Sequence, residues 1–131
     1  MLSVKVGAAT YSVDVSIVLG TAARHLPHCI RDPEWAIRTR EKAKTDKHGP
    51  AAVQQGHVFV PMVFDVFGRH GPCVRFLLER LEGECLDGKN LSRRLGHALG
   101  LAVQQGNARI ILNAAARAAE PRNGQFGGDW E

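Results

Sequence analysis

The segment Val58–Phe67 constrains the fold of this chain more than any other. Its ten residues are apolar at every position except Asp65. A run of that length, closed by Gly68, is too short to span a bilayer and predicts a β-strand covered on both faces. Pro61 cannot donate a hydrogen bond to a neighbouring strand, so we expect the strand to lie at a sheet edge or to pair only after Pro61. The segment therefore predicts a buried strand that carries one carboxylate where charge is costly.

Two further strands precede this segment. Leu2–Val6 is a weak strand, and Tyr11–Leu19 alternates polar and apolar residues, which places Asp14 in mid-strand on a polar face. A strand, a helix and a second strand in series predict a right-handed crossover between neighbouring parallel strands. The predicted fold class is α/β: a small mixed sheet of three to four strands with a β-α-β crossover, followed by two or three C-terminal helices.

Three helices are predicted from capping residues and periodicity. The first covers Pro33–Lys47, and Gly49-Pro50 is expected to end or kink it. The second starts at Pro72, ends at Gly83 and has an apolar stripe at helical spacing. The third covers Leu91–Ala119, with a break expected near Gly106-Asn107.

Composition predicts one domain in a reducing compartment. The 131 residues suffice for a single core, which we assign to residues 1–119, and residues 120–131 lack periodicity and are expected to be disordered. Seventeen Lys and Arg against thirteen Asp and Glu give a net charge of +4, which permits nucleic-acid binding. No signal-peptide block is present, and the odd number of cysteines predicts reduced thiols without a catalytic role: Cys29, Cys73 and Cys85.

Asp14 and Asp65, with a lysine from the charged helix, form the sharpest candidate site. Two strand-borne carboxylates can share Mg²⁺, which prefers oxygen ligands and keeps waters for a substrate phosphate. A nearby ammonium group can orient water or stabilise charge on that phosphate. The alternative is that Asp14 is solvated, Asp65 is a hydrogen-bonded acid near the core, and the lysines form a solvent-facing helix surface.

Two other clusters have simpler interpretations. His25, His28 and Cys29 carry donors suited to zinc, but no CxxC pair completes a ligand set, so a loop with incidental histidines is favoured. The junction Gly68–Pro72 precedes a helix N-terminus and can hold an anion, although it lacks the phosphate-loop pattern. A tight turn with exposed side chains is the default there.

Four segments, in the same order, resemble the region downstream of the polymerase in certain non-LTR retrotransposon polyproteins. YSVDVSIVLGTAARHLP resembles "LDVTVV…SHLP", and REKAKTDKHG resembles the "K..KY" helix, with Lys44 and Lys47 as the lysines and His48 where tyrosine is usual. HVFVPMVFDVFGRHGP is similar to "FVPFVVETFGRLGP", with Asp65 where glutamate often stands. RRLGHALGLAVQQGNARIILNAAAR is similar to the closing "RLSVALQRGNARLLLAAAR" helix, so the resemblance covers about residues 13–117.

The resemblance implies a restriction-endonuclease-like module of the PD-(D/E)xK type. In such a module a metal-dependent site nicks target DNA, and the new end primes reverse transcription. Asp14 stands as the second acid. Since Ser16 occupies the usual lysine position, the resemblance implies that Lys44 or Lys47 supplies the catalytic amine. It also implies Mg²⁺ held by Asp14 and Asp65, a DNA or RNA partner, no membrane, and an intracellular location that is nuclear in a eukaryotic host.

One departure from the family pattern concerns its first acid. That acid lies in a "PD" or "AD" strand ahead of the Asp14 strand and has no counterpart in MLSVKVGAAT. We therefore expect the chain to be the C-terminal part of a longer element, starting at an internal methionine. Weak or no cleavage is the expected activity of the isolated chain.

Two alternative functions follow from the same residues. A non-catalytic nucleic-acid-binding domain would contact phosphate through basic side chains: Arg24, Arg38, Arg40, Lys42 and Lys47, with help from Arg69 or Arg75. A packing or dimerisation domain would use the sheet edge near Pro61 and the alanine- and glycine-rich last helix.

Overall fold

A computed structural model of the protein describes residues 1–84 and 88–119, and within them a three-stranded mixed sheet. Strand β1 (Leu2–Val6) pairs antiparallel with β2 (Ala9–Val18), and β2 pairs parallel with β3 (Val58–Asp65). Gly7 makes the tight β1–β2 turn with a φ of +59°, a left-handed conformation that glycine adopts without strain. The sheet order β1-β2-β3 agrees with the predicted parallel pair joined by a crossover helix.

Four helices complete the described part of the chain. They are α1 (Leu26–Cys29), α2 (Trp35–Gln54), α3 (Pro72–Glu84) and α4 (Gly88–Ala119). The α/β class and the C-terminal helices are therefore confirmed. None of the described helices has both the length and the apolar character needed to cross a membrane. Cys85 and the tail at 120–131, which was predicted to be disordered, lie outside the described residues.

The predicted end of α2 at Gly49-Pro50 and the predicted break of α4 near Gly106-Asn107 are wrong. Helix α2 continues through Pro50 to Gln54, although proline removes one backbone hydrogen bond and costs about 3 kcal/mol in a helix interior. Ala52, in the turn after Pro50, is only 4% exposed, so burial of this last turn helps to offset that cost. Helix α4 likewise continues past Gly106 without interruption.

Pro61 is accommodated because β3 is an edge strand. Gly71 donates its N–H to Val63 O and Asp65 donates its N–H to Arg69 O, so the odd-numbered residues of β3 point their backbone groups away from β2. The N–H that Pro61 lacks would have pointed outward as well. Its absence therefore costs no hydrogen bond to β2, and pairing begins at Val58.

The two faces of the sheet carry separate apolar clusters. On one face, Phe64 and Val13 pack with Tyr11, with Val74 and Leu77 of α3, and with flanking side chains of α4. On the other face, the smaller cluster joins the strand residues Val18 and Val63 to α2 through Ala36 and Ile37. The predicted apolar stripe of α3 is thus a core-facing stripe.

Glu41 of α2 caps the N-terminus of α3. Its side chain is buried, and its Oε1 accepts a hydrogen bond of 3.0 Å from the backbone N–H of Cys73. A carboxylate at this end of a helix is favoured by the helix dipole. Gly71 leaves the space that this carboxylate fills, since a Cβ at position 71 would overlap Glu41 Oε1 and Ile37 Cγ2. Burial and the adjacent Glu41 carboxylate raise the pKa of the Cys73 thiol to about 12, so this thiol stays protonated near neutral pH.

Candidate functional site

Asp14 and Lys44 form an ion pair between β2 and α2. Lys44 Nζ lies 2.8 Å from Asp14 Oδ2, and both side chains are nearly four-fifths buried, at 23% and 22% exposure. Asp14 Oδ2 is itself shielded from solvent, and no described residue gives it a well-aligned hydrogen bond. The contact is therefore a close ion pair in a partly desolvated position, where charge interactions are stronger than at the surface.

The pair belongs to a polar seam between β2 and α2. Arg40, Lys44 and His48 are spaced four residues apart and therefore lie on one face of α2. Arg40 Nε donates to Ser16 Oγ at 3.1 Å. Ser16 is two residues after Asp14, so the two side chains lie on the same face of β2. The sequence does contain a signal for this seam. Basic residues recur every four residues in the helix, and polar residues stand at positions i and i+2 of the strand. The polar face of β2 is thus covered by a polar helix face and is not simply solvated.

The charge environment keeps Asp14 ionised. The Lys44 ammonium in contact with its carboxylate lowers the pKa of Asp14 below its ordinary value, while burial acts in the opposite direction. The positive charges of His48 and of the amino terminus add to the lowering. An anionic carboxylate beside an ammonium group is the arrangement expected of a metal-dependent phosphodiesterase site, and it is also common in purely structural ion pairs.

We predict that Asp14→Asn lowers the free energy of unfolding by about 1 kcal/mol near neutral pH. Because the folded-state pKa of Asp14 lies below its unfolded value, the pair stabilises the fold above about pH 4, and this contribution is lost as the pH falls through the folded pKa. Urea unfolding of the parent and the variant at about pH 7 and about pH 3 measures the difference. The matched control is Asp46→Asn, which removes the exposed Lys42–Asp46 pair and should cost less. A parent–variant difference that is independent of pH would contradict the prediction.

Asp65 lies on the same sheet face as Asp14 but not beside it. The register pairs Asp14 with Pro61 and Val18 with Asp65, which separates the two acids by four residues, or about 13 Å along the strands. The Oδ1 atom of Asp65 accepts backbone N–H groups from Phe67 and Arg69, both at 2.9 Å. The structure therefore places Asp65 as the acid that shapes the β3–α3 turn and does not bring it into the Asp14–Lys44 pair.

The two candidate lysines are placed differently. Lys44 contacts Asp14, whereas Lys47 is exposed and takes part in no ion pair between described residues. Between them, Lys44 is thus the lysine that the fold brings to the acid. Within residues 1–84 and 88–119, no group of three or more His, Cys, Asp or Glu side chains is arranged to hold a metal ion.

The predicted phosphate-binding residues divide into two groups. Arg38, Lys42 and Arg75 form ion pairs with acidic neighbours, namely Asp32, Glu34 and Asp46. No ion pair between described residues involves Arg24, Arg40 or Arg69, whose charges are therefore better available to a polyanion. Helix α4 adds basic residues that the predictions did not include, and its sequence contains no Asp or Glu: Arg93, Arg94, Arg109 and Arg117.

The histidines near α1 are occupied by local contacts. The His28 ring stacks on Trp35 with a centroid distance of 4.0 Å, and His25 Nδ1 lies 3.0 Å from Leu19 O. These contacts agree with the favoured interpretation of incidental histidines, but the predicted loop is wrong at Leu26–Cys29, which forms helix α1. Cys29, the remaining zinc donor type, is the last residue of α1 and is half-buried with a free thiol.

The geometry therefore offers one partly buried acid–lysine pair, a polar seam along α2 and three arginines that form no ion pair between described residues. One carboxylate and one ammonium group can hold a phosphate-bound cation and contact a phosphate, but they are fewer ligands than a complete metal-dependent nuclease site has. No protein-family model, curated protein or solved structure matches this chain.

Proposed function

We propose that the chain is part of a retroelement polyprotein and corresponds to its metal-dependent DNA-nicking endonuclease region, with cleavage impaired because the first catalytic acid has no counterpart. The observation that supports this proposal is the ion pair of 2.8 Å between Asp14 and Lys44. The resemblance implied an acid on the strand and a lysine from the helix. These two residues lie in contact across β2 and α2 although 29 intervening residues separate them in sequence.

In this proposal each residue of the pair has a distinct role. The Asp14 carboxylate would hold Mg²⁺, whose other ligands would be water and a phosphate oxygen of the DNA. When bound, Mg²⁺ would supply charge stabilisation at the phosphate undergoing cleavage. Lys44 holds the carboxylate in its ionised form and presents an ammonium group to the same phosphate. A site with one carboxylate binds Mg²⁺ weakly, which is consistent with impaired cleavage.

Plasmid nicking in Mg²⁺ tests the proposal. We expect slow nicking by the parent chain, and loss of about tenfold or more in Asp14→Ala and in Lys44→Met, since a positioned electrostatic group contributes about 10²–10³ in kcat in complete sites. Lys47→Met is the matched control on the same helix and should nick like the parent, because Lys47 is exposed and unpaired among the described residues. Equal rates in the parent and Asp14→Ala, or no nicking in either, would remove Asp14 as a catalyst.

A further inference from the structure

The turn between β3 and α3 projects an aromatic and a basic side chain next to each other. Phe67 is 67% exposed and is the only exposed Phe, Tyr or Trp among the described residues. Arg69 is also exposed and belongs to none of the ion pairs of the described chain. Single exposed apolar side chains are ordinary on protein surfaces, so the exposure of Phe67 alone does not identify a site.

The backbone of Phe67 is held firmly at both ends. Its N–H donates to Asp65 Oδ1 at 2.9 Å, and its carbonyl accepts from Gln104 Nε2 of α4 at 2.7 Å. Gly68 follows with a φ of +89°, and a Cβ there would lie 2.8 Å from the carbonyl oxygen of Gly100. The turn is therefore anchored to both the sheet and α4, so Phe67 projects from a fixed position.

Two clefts meet at Phe67 and Arg69. The first has a volume of about 270 Å³, lies beyond the ends of β2 and β3, and is lined mainly by apolar side chains such as Val18, Leu26, Ile30 and Ile37. The second has a volume of about 510 Å³, and its wall includes Arg75, His97 and Gln104 together with Glu34, which pairs with Arg75. The two clefts thus share one aromatic and one cationic side chain.

This combination fits one chemical class of ligand. A nucleotide has a flat apolar base and an anionic phosphate, and proteins that bind single strands hold them by stacking bases on aromatic rings and contacting phosphates with arginine. The volume of the apolar cleft is just below the range of about 300–1,000 Å³ that is typical of small-molecule sites, which suits a single base. In a duplex the bases are stacked and paired and cannot present a face to Phe67.

We infer that the β3–α3 turn binds an unpaired nucleotide of a DNA strand, with the base stacked on Phe67 and the adjacent phosphate on Arg69. The inference rests on the proposed function, because it names the DNA form that the proposed endonuclease region holds. It assigns Phe67 a role in binding that is separate from the Asp14–Lys44 pair. It also gives Asp65 a purpose in positioning the turn.

Binding of an oligothymidylate of about 12 nucleotides, compared with a duplex of the same length, tests the inference by fluorescence anisotropy. Phe67→Ala should weaken binding of the single strand roughly 5- to 150-fold, which is the range for loss of one base–aromatic stack, and should leave duplex binding within about twofold. Phe67→Trp should retain single-strand binding. Arg69→Gln should weaken both forms and reduce the salt dependence by about one unit of slope.

The control is Ile111→Ala. Ile111 is an apolar residue of α4 that, like Phe67, is exposed, at 68%, but it is far from the turn in sequence. Thermal melts of each variant establish that it is folded. Parent-like binding of oligothymidylate by Phe67→Ala, with duplex binding still present and salt-dependent, overturns the inference and leaves the proposed function standing. Absence of any DNA binding by the parent at about 50 mM salt removes the nucleic-acid partner, and with it both proposals.

Discussion

Gly71→Ala is expected to lower the free energy of unfolding by about 3 kcal/mol or more. The new methyl group would overlap Glu41 Oε1 and Ile37 Cγ2, both of which are held in the buried junction between α2 and α3. Relief of that overlap requires Glu41 to move away from the N–H of Cys73, which leaves the start of α3 without its carboxylate cap. A fall of about 10 °C or more in Tm is the corresponding change in a thermal melt.

Gly106→Ala is the matched control for this substitution. Gly106 lies inside α4, and a Cβ there would meet no atom within 4 Å, so the same chemical change should stabilise the helix by about 1 kcal/mol. A second test combines Gly71→Ala with Glu41→Ala. Alanine at position 41 vacates part of the space that the new methyl group at position 71 would need. The double variant should therefore lose less free energy of unfolding than the sum of the losses in the two single variants. A Tm for Gly71→Ala within about 2 °C of the parent would contradict the tight α2–α3 junction.

Ser3→Asp is expected to give Mg²⁺-dependent DNA nicking at least tenfold faster than that of the parent chain. The resemblance implies a first acid on the strand before the Asp14 strand, and β1 occupies that place. Ser3 pairs with Ser12 in the antiparallel register and therefore lies on the same face as Asp14, diagonally across the pair. A carboxylate at position 3 would approach Asp14 closely enough for the two to share one divalent ion.

Leu2→Asp is the control, because it adds the same charge to the same strand on the opposite face. Leu2 pairs with Val13, whose side chain belongs to the core on the α3 side, and Leu2 is exposed, so the substitution is tolerable. Thermal melts with and without Mg²⁺ provide a second readout, since only Ser3→Asp should gain stability from the ion. If the two variants nick at the same rate and neither is stabilised by Mg²⁺, no divalent-ion site exists beside Asp14.

Local sequence signals predicted the elements of this fold well. The apolar run that starts at Val58 predicted the strand β3. Pro72 and the apolar stripe that follows it predicted α3. Both signals are local, because apolar periodicity and proline geometry act within a few residues. The continuation of α2 through Pro50 was not predictable in this way. It depends on the burial of Ala52 against the rest of the fold, and such tertiary packing is invisible to a local rule.

The candidate site was predictable only in part. The resemblance indicated Asp14 and a lysine of the charged helix, but the choice of Lys44 over Lys47 depends on the rotation of α2 about its axis. The pairing of Asp14 with Asp65 failed to appear because strand register sets their separation, and register is not encoded in either strand alone. The exposure of individual strand residues was equally hard to predict from the sequence. Val15 and Ile17 lie on the apolar face of β2 but remain 54% and 48% exposed, because α4 covers that face incompletely.

The position of Pro61 has a consequence for how copies of this chain can associate. Strand-to-strand aggregation needs an open row of backbone donors and acceptors at a sheet edge. Along the outer edge of β3, Pro61 offers no donor, while Val63 O and Asp65 N–H are already bonded to the following turn. This edge therefore resists the addition of a foreign strand, as charged and proline-bearing edges do in other sheets. Within the described sheet, intermolecular β-pairing is left to the opposite edge at β1, where Lys5 is exposed and disfavours close contact between identical chains.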